Sequence, residues 1–224
     1  MTDPLISSLQ GKLIVSCQAY VGEPMRHPET MAQVALSAER GGAAAIRCQG
    51  LADIAAIKGQ VEIPVIGLWK EGHDGVYITP TLRHARACIA AGSDVVAIDA
   101  TARPRPDGRT FEETVEALRG ETLIMADCSC MDDVQRALEA GADLVPPTVG
   151  GWVPGGGEKT AGPDLEFLRE AVAAAGDVPV FCEGRIHTLA DAQAAMEAGA
   201  FALVVGAALP HPPALPSSVA DAIR

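Results

Sequence analysis

Short apolar runs recur along the chain and alternate with segments whose apolar residues follow a helical period. The runs are almost continuously apolar, which is typical of parallel strands buried on both faces of a sheet. Between them, segments such as PETMAQVALSAERGG, MDDVQRALEAG and TLADAQAAMEAG are predicted to form helices. Eight runs are predicted to be strands: residues 13–17, 43–48, 63–69, 95–98, 122–126, 144–145, 178–182 and 201–205.

A glycine precedes four of the predicted strands at a regular spacing. The stretches GGAAAI, AGSDVVAI, AGADLV and AGAFALVV contain Gly42, Gly92, Gly141 and Gly199. Glycine at such a place ends a helix in the left-handed conformation, and a strand begins soon after it. Steps of about 50 residues accommodate two strand–helix units of an eightfold barrel.

These patterns predict an α/β protein that folds as a single (β/α)8 TIM barrel, one domain over residues 1–224. The main alternative is an open, doubly wound sheet. That fold binds a nucleotide through a G-x-G-x-x-G loop after its first strand. Here the first strand runs into SCQAYVGEP, which lacks this loop, so the barrel is favoured.

Composition and charge narrow the range of partners. Of the 224 residues 48% are hydrophobic but only 4% are aromatic, so Ala, Val, Leu and Ile must build the core. The formal net charge of −12 opposes binding to nucleic acid, which requires a basic surface. A phosphorylated small molecule is still compatible, because backbone N–H groups can hold an anion locally.

The chain contains no signal-peptide pattern and no run near the ~20 apolar residues of a membrane span. We therefore expect a cytoplasmic protein without a membrane partner. The six cysteines form no CxxC motif, and the five histidines form no HxH or HExxH motif. A metal or redox role for Cys128 and Cys130 is disfavoured, because zinc sites use other spacings and further ligands. The sequence predicts no metal site and no cofactor.

Polar residues stand where the predicted strands end, which is where a barrel carries its chemistry. In IPVIGLWK the strand runs out at Lys70, although a lysine there could also be a solvated surface residue. Asp99 and Asp127 could bind substrate or simply cap the next helix. The predicted catalytic residues are Lys70 and Glu183, and the predicted substrate-binding residues are Gln18, Arg47, Asp99, Thr101, Arg103, Asp127 and Thr148.

Glycines in the last two strand-end loops, EGRIHT and VVGAAL, indicate an anion site. Because glycine lets the backbone approach a ligand closely, N–H groups can face phosphate oxygens there. The predicted phosphate-binding residues are Gly184, Arg185, Gly206 and Ala207. A further long, glycine-rich loop spans residues 148–164; it is either a mobile lid over the site or a surface insertion.

The chain resembles the bacterial N-acetylmannosamine-6-phosphate 2-epimerases over nearly its whole length. The motifs that carry the resemblance are LIVSCQ, AIRCQG, IPVIGLWK, DATARPRP, MADCS, CEGR and VVGAAL. The resemblance implies a cofactor-free C2 epimerisation that interconverts N-acetylmannosamine 6-phosphate and N-acetylglucosamine 6-phosphate through an enolate. It implies that Lys70 transfers the proton and that Glu183 is its partner. A homodimer is left open.

The chain departs from the family at three places. Pro210-His211-Pro212 stands where the family has Thr-Arg-Pro, residues 150–153 read Gly-Gly-Trp-Val where it has Ser-Gly-Tyr-Thr, and Pro146-Pro147 replaces Gly-Thr. Two alternatives therefore stay open beside the epimerase. One is a Schiff-base lyase or aldolase in which Lys70 attacks a carbonyl. The other is a barrel that binds a sugar phosphate without turnover.

Overall fold

A computed structural model describes residues 3–153 and 155–206. Within these ranges the strands are all parallel and form one sheet, in the order β5-β4-β3-β2-β1-β7-β6. The strands are β1 (Leu13–Cys17), β2 (Ala45–Gln49), β3 (Val65–Leu68), β4 (Val95–Asp99), β5 (Leu123–Asp127), β6 (Phe181–Glu183) and β7 (Ala202–Val205).

The sheet is closed into a barrel by Leu144 and Val145. Leu144 forms a parallel bridge with Met125 of β5, and Val145 forms one with Val180, which precedes β6. This segment therefore occupies the position of the eighth strand and joins the two edge strands. The predicted (β/α)8 TIM barrel is confirmed. This two-residue strand is short because Pro146 and Pro147 follow it, and proline cannot donate a hydrogen bond to a neighbouring strand.

Helices surround the barrel and follow the predicted pattern. They are α1 (Pro4–Ser8), α2 (Pro28–Arg40), α3 (Leu51–Lys58), α4 (Leu82–Ala90), α5 (Phe111–Leu118), α6 (Met131–Ala140), α7 (Leu165–Ala175) and α8 (Leu189–Glu197). The sequence reading missed α1, which starts with Pro4 and is capped by Asp3. Its buried Ile6 and Leu9 pack among the apolar side chains of the barrel interior.

Residues along each strand alternate between two apolar cores, which explains why the strands are continuously apolar. In β4, for example, Val95 and Ala97 face the barrel interior, whereas Val96 and Ile98 pack against the helices. Side chains two positions apart point to the same face of a strand. The interior row of β4 therefore continues into Asp99 at the carboxyl end, and this register aims polar side chains at the mouth of the barrel.

Candidate active site

A cavity of about 740 Å³ opens at the carboxyl ends of the strands. It lies where the strand-end rule predicts the site of a TIM barrel. Among the predicted site residues, seven line it: Gln18, Lys70, Thr148, Glu183, Gly184, Arg185 and Gly206. Ala207 and the Pro210–Pro212 departure lie outside the described residues.

Lys70 extends the interior row of β3 by one step beyond Leu68 and reaches the cavity. Its ammonium donates a hydrogen bond to Oε1 of Gln18 at 2.8 Å and lies 5.4 Å from the centroid of the Tyr20 ring. Burial, followed by the charge of the nearby Arg47 guanidinium, lowers the pKa of Lys70 from 10.5 to about 8. A substantial fraction of Lys70 is therefore neutral near physiological pH, as a general base requires.

Glu183 is held by Arg47, which lies in the barrel interior next to it. The Arg47 side chain is only 1% exposed; it forms an ion pair with Glu183 and donates a 2.5 Å hydrogen bond to Asp127. The hydroxyl of Thr148 bridges the same two carboxylates, 2.9 Å from Asp127 and 3.4 Å from Glu183. Arg47 and Asp127 are buried beneath the cavity wall and do not line the cavity. Their contacts show that they orient Glu183.

Burial raises the pKa of the fully buried Asp127 carboxyl, and the adjacent Arg47 opposes this shift. Removing a charged group from water disfavours its ionised form, whereas an opposite charge favours it. Arg47 is thus placed between two carboxylates at the bottom of the site and compensates the charge that burial would otherwise destabilise.

Asp99, the last residue of β4, forms a separate network with Thr101 and Arg103, the two predicted residues that follow it. Asp99 is fully buried and accepts hydrogen bonds from the backbone N–H and the hydroxyl of Thr101. Arg103 donates to the Asp99 carboxylate at 2.6 Å and to the carbonyl of Gly75. The three residues do not line the cavity. Arg103, which Asp99 and Thr101 hold in place, connects this network to the loop that follows β3, because Gly75 belongs to that loop.

The predicted phosphate end of the cavity is formed by Gly184 and Gly206, with Arg185 beside them. The backbone N–H groups of His187 and Thr188 are already occupied, since both donate to Asp191 in the capping box of α8. These two N–H groups, which precede α8, are therefore bonded to a carboxylate of the helix itself and do not face the cavity as free donors. The Arg185 guanidinium is directed toward the glycine-rich loop.

Sequence reasoning missed several residues that line the cavity. Tyr77 and His73 stand on a hairpin after β3, in which Lys70 pairs with Ile78. Burial raises the pKa of the Tyr77 phenol, with further contributions from Asp99 and Asp127. The apolar runs carry no signal for side chains on such loops. Ser16 was detectable, because it continues the interior row of β1 from Ile14. The other lining residues without a predicted role are Tyr20, Gly72, Val149, Trp152, Ile186, His187 and Val204.

Within the described ranges, no group of three or more His, Cys, Asp or Glu side chains could hold a metal ion. The Cys128 thiol is buried and donates to the carbonyl of Ala126, and burial raises its pKa well above the usual range. A protonated thiol is a poor metal ligand. No helix in the described part of the chain is both long and apolar enough to cross a bilayer.

Comparison with known proteins identifies the family. The family described as "Putative N-acetylmannosamine-6-phosphate epimerase" (NanE) matches residues 31–224. A Cutibacterium acnes protein named "Putative N-acetylmannosamine-6-phosphate 2-epimerase" is 54% identical over 226 residues, with 100% of this chain and 98% of that protein covered. The chain belongs to the NanE family. A Corynebacterium glutamicum protein of the same name is 47% identical, with 93% of this chain and 91% of that protein covered.

Solved structures agree with the family and the fold. The N-acetylmannosamine-6-phosphate 2-epimerase from Clostridium perfringens superimposes with a TM-score of 0.93 at 35% identity, covering 99% of this chain and 97% of that one. A thiamine phosphate pyrophosphorylase from Pyrococcus furiosus has a TM-score of 0.60 at 18% identity, covering 92% and 90% of the two chains. The second similarity shows a shared fold only.

Proposed function

We propose that this NanE-family protein is a cofactor-independent C2 epimerase that interconverts N-acetylmannosamine 6-phosphate and N-acetylglucosamine 6-phosphate. The observation that carries the proposal is Lys70, a lysine whose pKa is lowered to about 8, in the same cavity as the Glu183 carboxylate. The names of the relatives and the match to the C. perfringens enzyme support this activity. The lyase and the non-catalytic barrel have no such support.

The chemistry requires a base that removes a proton from carbon. The C2 proton becomes acidic when the sugar ring opens and C1 is an aldehyde, and its removal leaves an enolate. Neutral Lys70 takes this proton, and a proton delivered to the opposite face of C2 completes the inversion. General acid–base catalysis of this kind contributes about 10² to 10⁴ in rate.

The surrounding residues orient Lys70, supply the partner carboxylate and bind the phosphate. Gln18 orients the Lys70 amine through their 2.8 Å hydrogen bond. Glu183, held by Arg47 and Thr148, is the partner carboxylate at the opposite wall of the cavity. Backbone N–H groups at Gly184 and Gly206 receive the phosphate, because glycine at both places leaves room for its oxygens.

Several other properties that were predicted from the sequence stay predictions. They are the single domain over residues 1–224, the absence of a metal and a cofactor and the cytoplasmic location, while a homodimer is left open. Also still predictions are the substrate contacts of Arg47, Asp99, Thr101, Arg103 and Asp127 and the phosphate contact of Ala207.

Proton NMR of the protein with N-acetylmannosamine 6-phosphate in D₂O tests the proposal. We expect the C2 proton signal to disappear while the gluco epimer forms, and we expect Lys70→Ala to lose both changes. Lys12→Ala is the matched control, because Lys12 is exposed near the start of β1, at the opposite end of the barrel. Undiminished exchange in Lys70→Ala would refute the role of Lys70. A borohydride-trapped adduct on Lys70 would favour the lyase instead.

A further inference from the structure

The side chain of Arg185 is bonded to the glycine-rich loop rather than free in the cavity. Its Nη1 donates to the carbonyl of Gly150 at 2.9 Å, and its Nε donates to the carbonyl of Gly162 at 3.1 Å. These two carbonyls stand near the two ends of the loop at residues 148–164. One planar guanidinium therefore joins the two ends of the loop to the strand-end turn that carries Glu183.

The backbone around Arg185 is adapted to this contact. Arg185 has a φ of +58°, and apart from it only Thr79 among the described non-glycine residues has a positive φ. Non-glycine residues occupy this region rarely, and they stay in it when surrounding contacts determine the conformation. Gly184, at φ +105°, makes the turn that precedes it. After this turn the Arg185 side chain reaches the loop carbonyls of Gly150 and Gly162.

The loop itself is folded back on itself and packed tightly. The N–H of Gly151 donates to the carbonyl of Gly156 at 2.7 Å. A Cβ on Gly151 would lie 2.7 Å from the Cα of Lys159, so the two limbs of the loop touch. The Lys159 ammonium lies 3.6 Å from the centroid of the Trp152 ring, within the range of a cation–π interaction.

This folded loop supplies two parts of the cavity wall. Thr148, at its start, bonds to Asp127 and Glu183, and Trp152, at its tip, lines the cavity although its side chain is 57% exposed. The position of the loop therefore affects one of the contacts that orient Glu183, besides its ion pair with Arg47, and also the shape of the mouth.

We propose that Arg185 is a positioning residue whose side chain fixes the loop at residues 148–164 over the cavity, with Trp152 as the wall that this loop presents to the substrate. The side chain then acts through the loop, and its cation does not contact the phosphate. Lysine can replace it only in part, because an ammonium lacks the planar fork of donors that matches two separate carbonyls. The kinetic consequence rests on the proposed epimerase; the structural one does not.

The test compares Arg185→Met and Arg185→Lys with Arg169→Met. Arg169 is a matched control, because it lies on the exposed side of α7 and, among the described residues, donates a hydrogen bond to the Leu165 carbonyl alone. Hydrogen–deuterium exchange across residues 148–164, and the rate of trypsin cleavage after Lys159, report on the loop without any substrate. We expect both to rise about tenfold or more in Arg185→Met, as the loss of two hydrogen bonds to a charged group implies. Arg185→Lys should fall between Arg185→Met and the unaltered protein, and Arg169→Met should match the latter.

In Arg185→Met and Arg185→Lys the KM for N-acetylmannosamine 6-phosphate should rise more than kcat falls. The pH dependence of kcat/KM should keep its midpoint, because the surroundings of Lys70 are unchanged. A loop with unchanged exchange and cleavage in Arg185→Met, together with a raised KM, would overturn the proposal and make Arg185 a direct substrate contact. If no epimerisation is found at all, the exchange and cleavage measurements still decide whether Arg185 fixes the loop.

Discussion

The rate of epimerisation should follow the neutral fraction of Lys70. Burial, followed by the charge of Arg47, lowers the pKa of Lys70 from 10.5 to about 8. At pH 7 about one lysine in ten is then neutral, compared with about one in 3,000 for an unperturbed side chain. The protein environment thus increases the amount of active base about 300-fold at pH 7. The sign is fixed, because a base loses activity as the pH falls below its pKa.

The assay is kcat/KM for C2 epimerisation between pH 7 and 10, with the exchange of the C2 proton into D₂O followed by NMR. We expect kcat/KM to rise about fivefold between pH 7 and pH 8, to reach half of its maximum near pH 8, and to level above about pH 9. The range starts at pH 7 because a phosphate monoester also ionises near pH 6 and would distort the profile below that.

Lys70→Arg provides the matched perturbation, because guanidinium keeps its proton at every pH in this range. We expect a loss of about 10² to 10⁴ in kcat/KM, the amount that general base catalysis contributes. Lys12→Arg, at an exposed position, should behave as the unaltered protein. A flat profile from pH 7 to 10, or a Lys70→Arg variant with a tenth of the normal activity or more, would refute the reasoning.

Three further predictions concern stability. Lys70→Met should raise the free energy of unfolding by about 1–3 kcal/mol at pH 7, because the buried ammonium has a folded-state pKa below its unfolded one. In urea titrations this gain should shrink between pH 8 and 10.5, where the folded protein releases its proton first, and a gain that grows with pH would contradict the assignment. Arg47→Met should destabilise the fold by about 3–5 kcal/mol, because it removes the ion-pair partner of the buried Asp127 carboxylate and of the partly exposed Glu183 carboxylate. Arg119→Met, which removes an exposed pair with Glu116, should change the melting temperature little, and equal effects of the two changes would count against the buried network. Gly67→Ala should cost about 1–3 kcal/mol, because its Cβ would lie 1.9 Å from Oγ of Ser93. Adding Ser93→Gly should recover part of this loss, and a calorimetric scan that shows no recovery would exclude that contact as the cause.

The fold could be predicted because its determinants are local and periodic. Each strand shows its burial on two faces as a continuous apolar run, and the glycine steps show where helices end. The weakest prediction was the run at residues 144–145, which contributes only two bridged residues. Pro146 and Pro147 limit its pairing, and only the closed barrel shows that two residues suffice to join the edges.

The sequence alone determined that Lys70 and Glu183 reach the mouth, because each continues the interior row of its strand. Tertiary structure decided what the arginines do. Arg47 and Asp127 are 80 residues apart, and their contact depends on how β2 and β5 are placed around the barrel. Arg185 follows a strand end, as a substrate contact would, yet its side chain is bonded to the glycine-rich loop. A strand end fixes where a side chain starts, whereas the neighbouring loops and charges fix where its polar atoms bind.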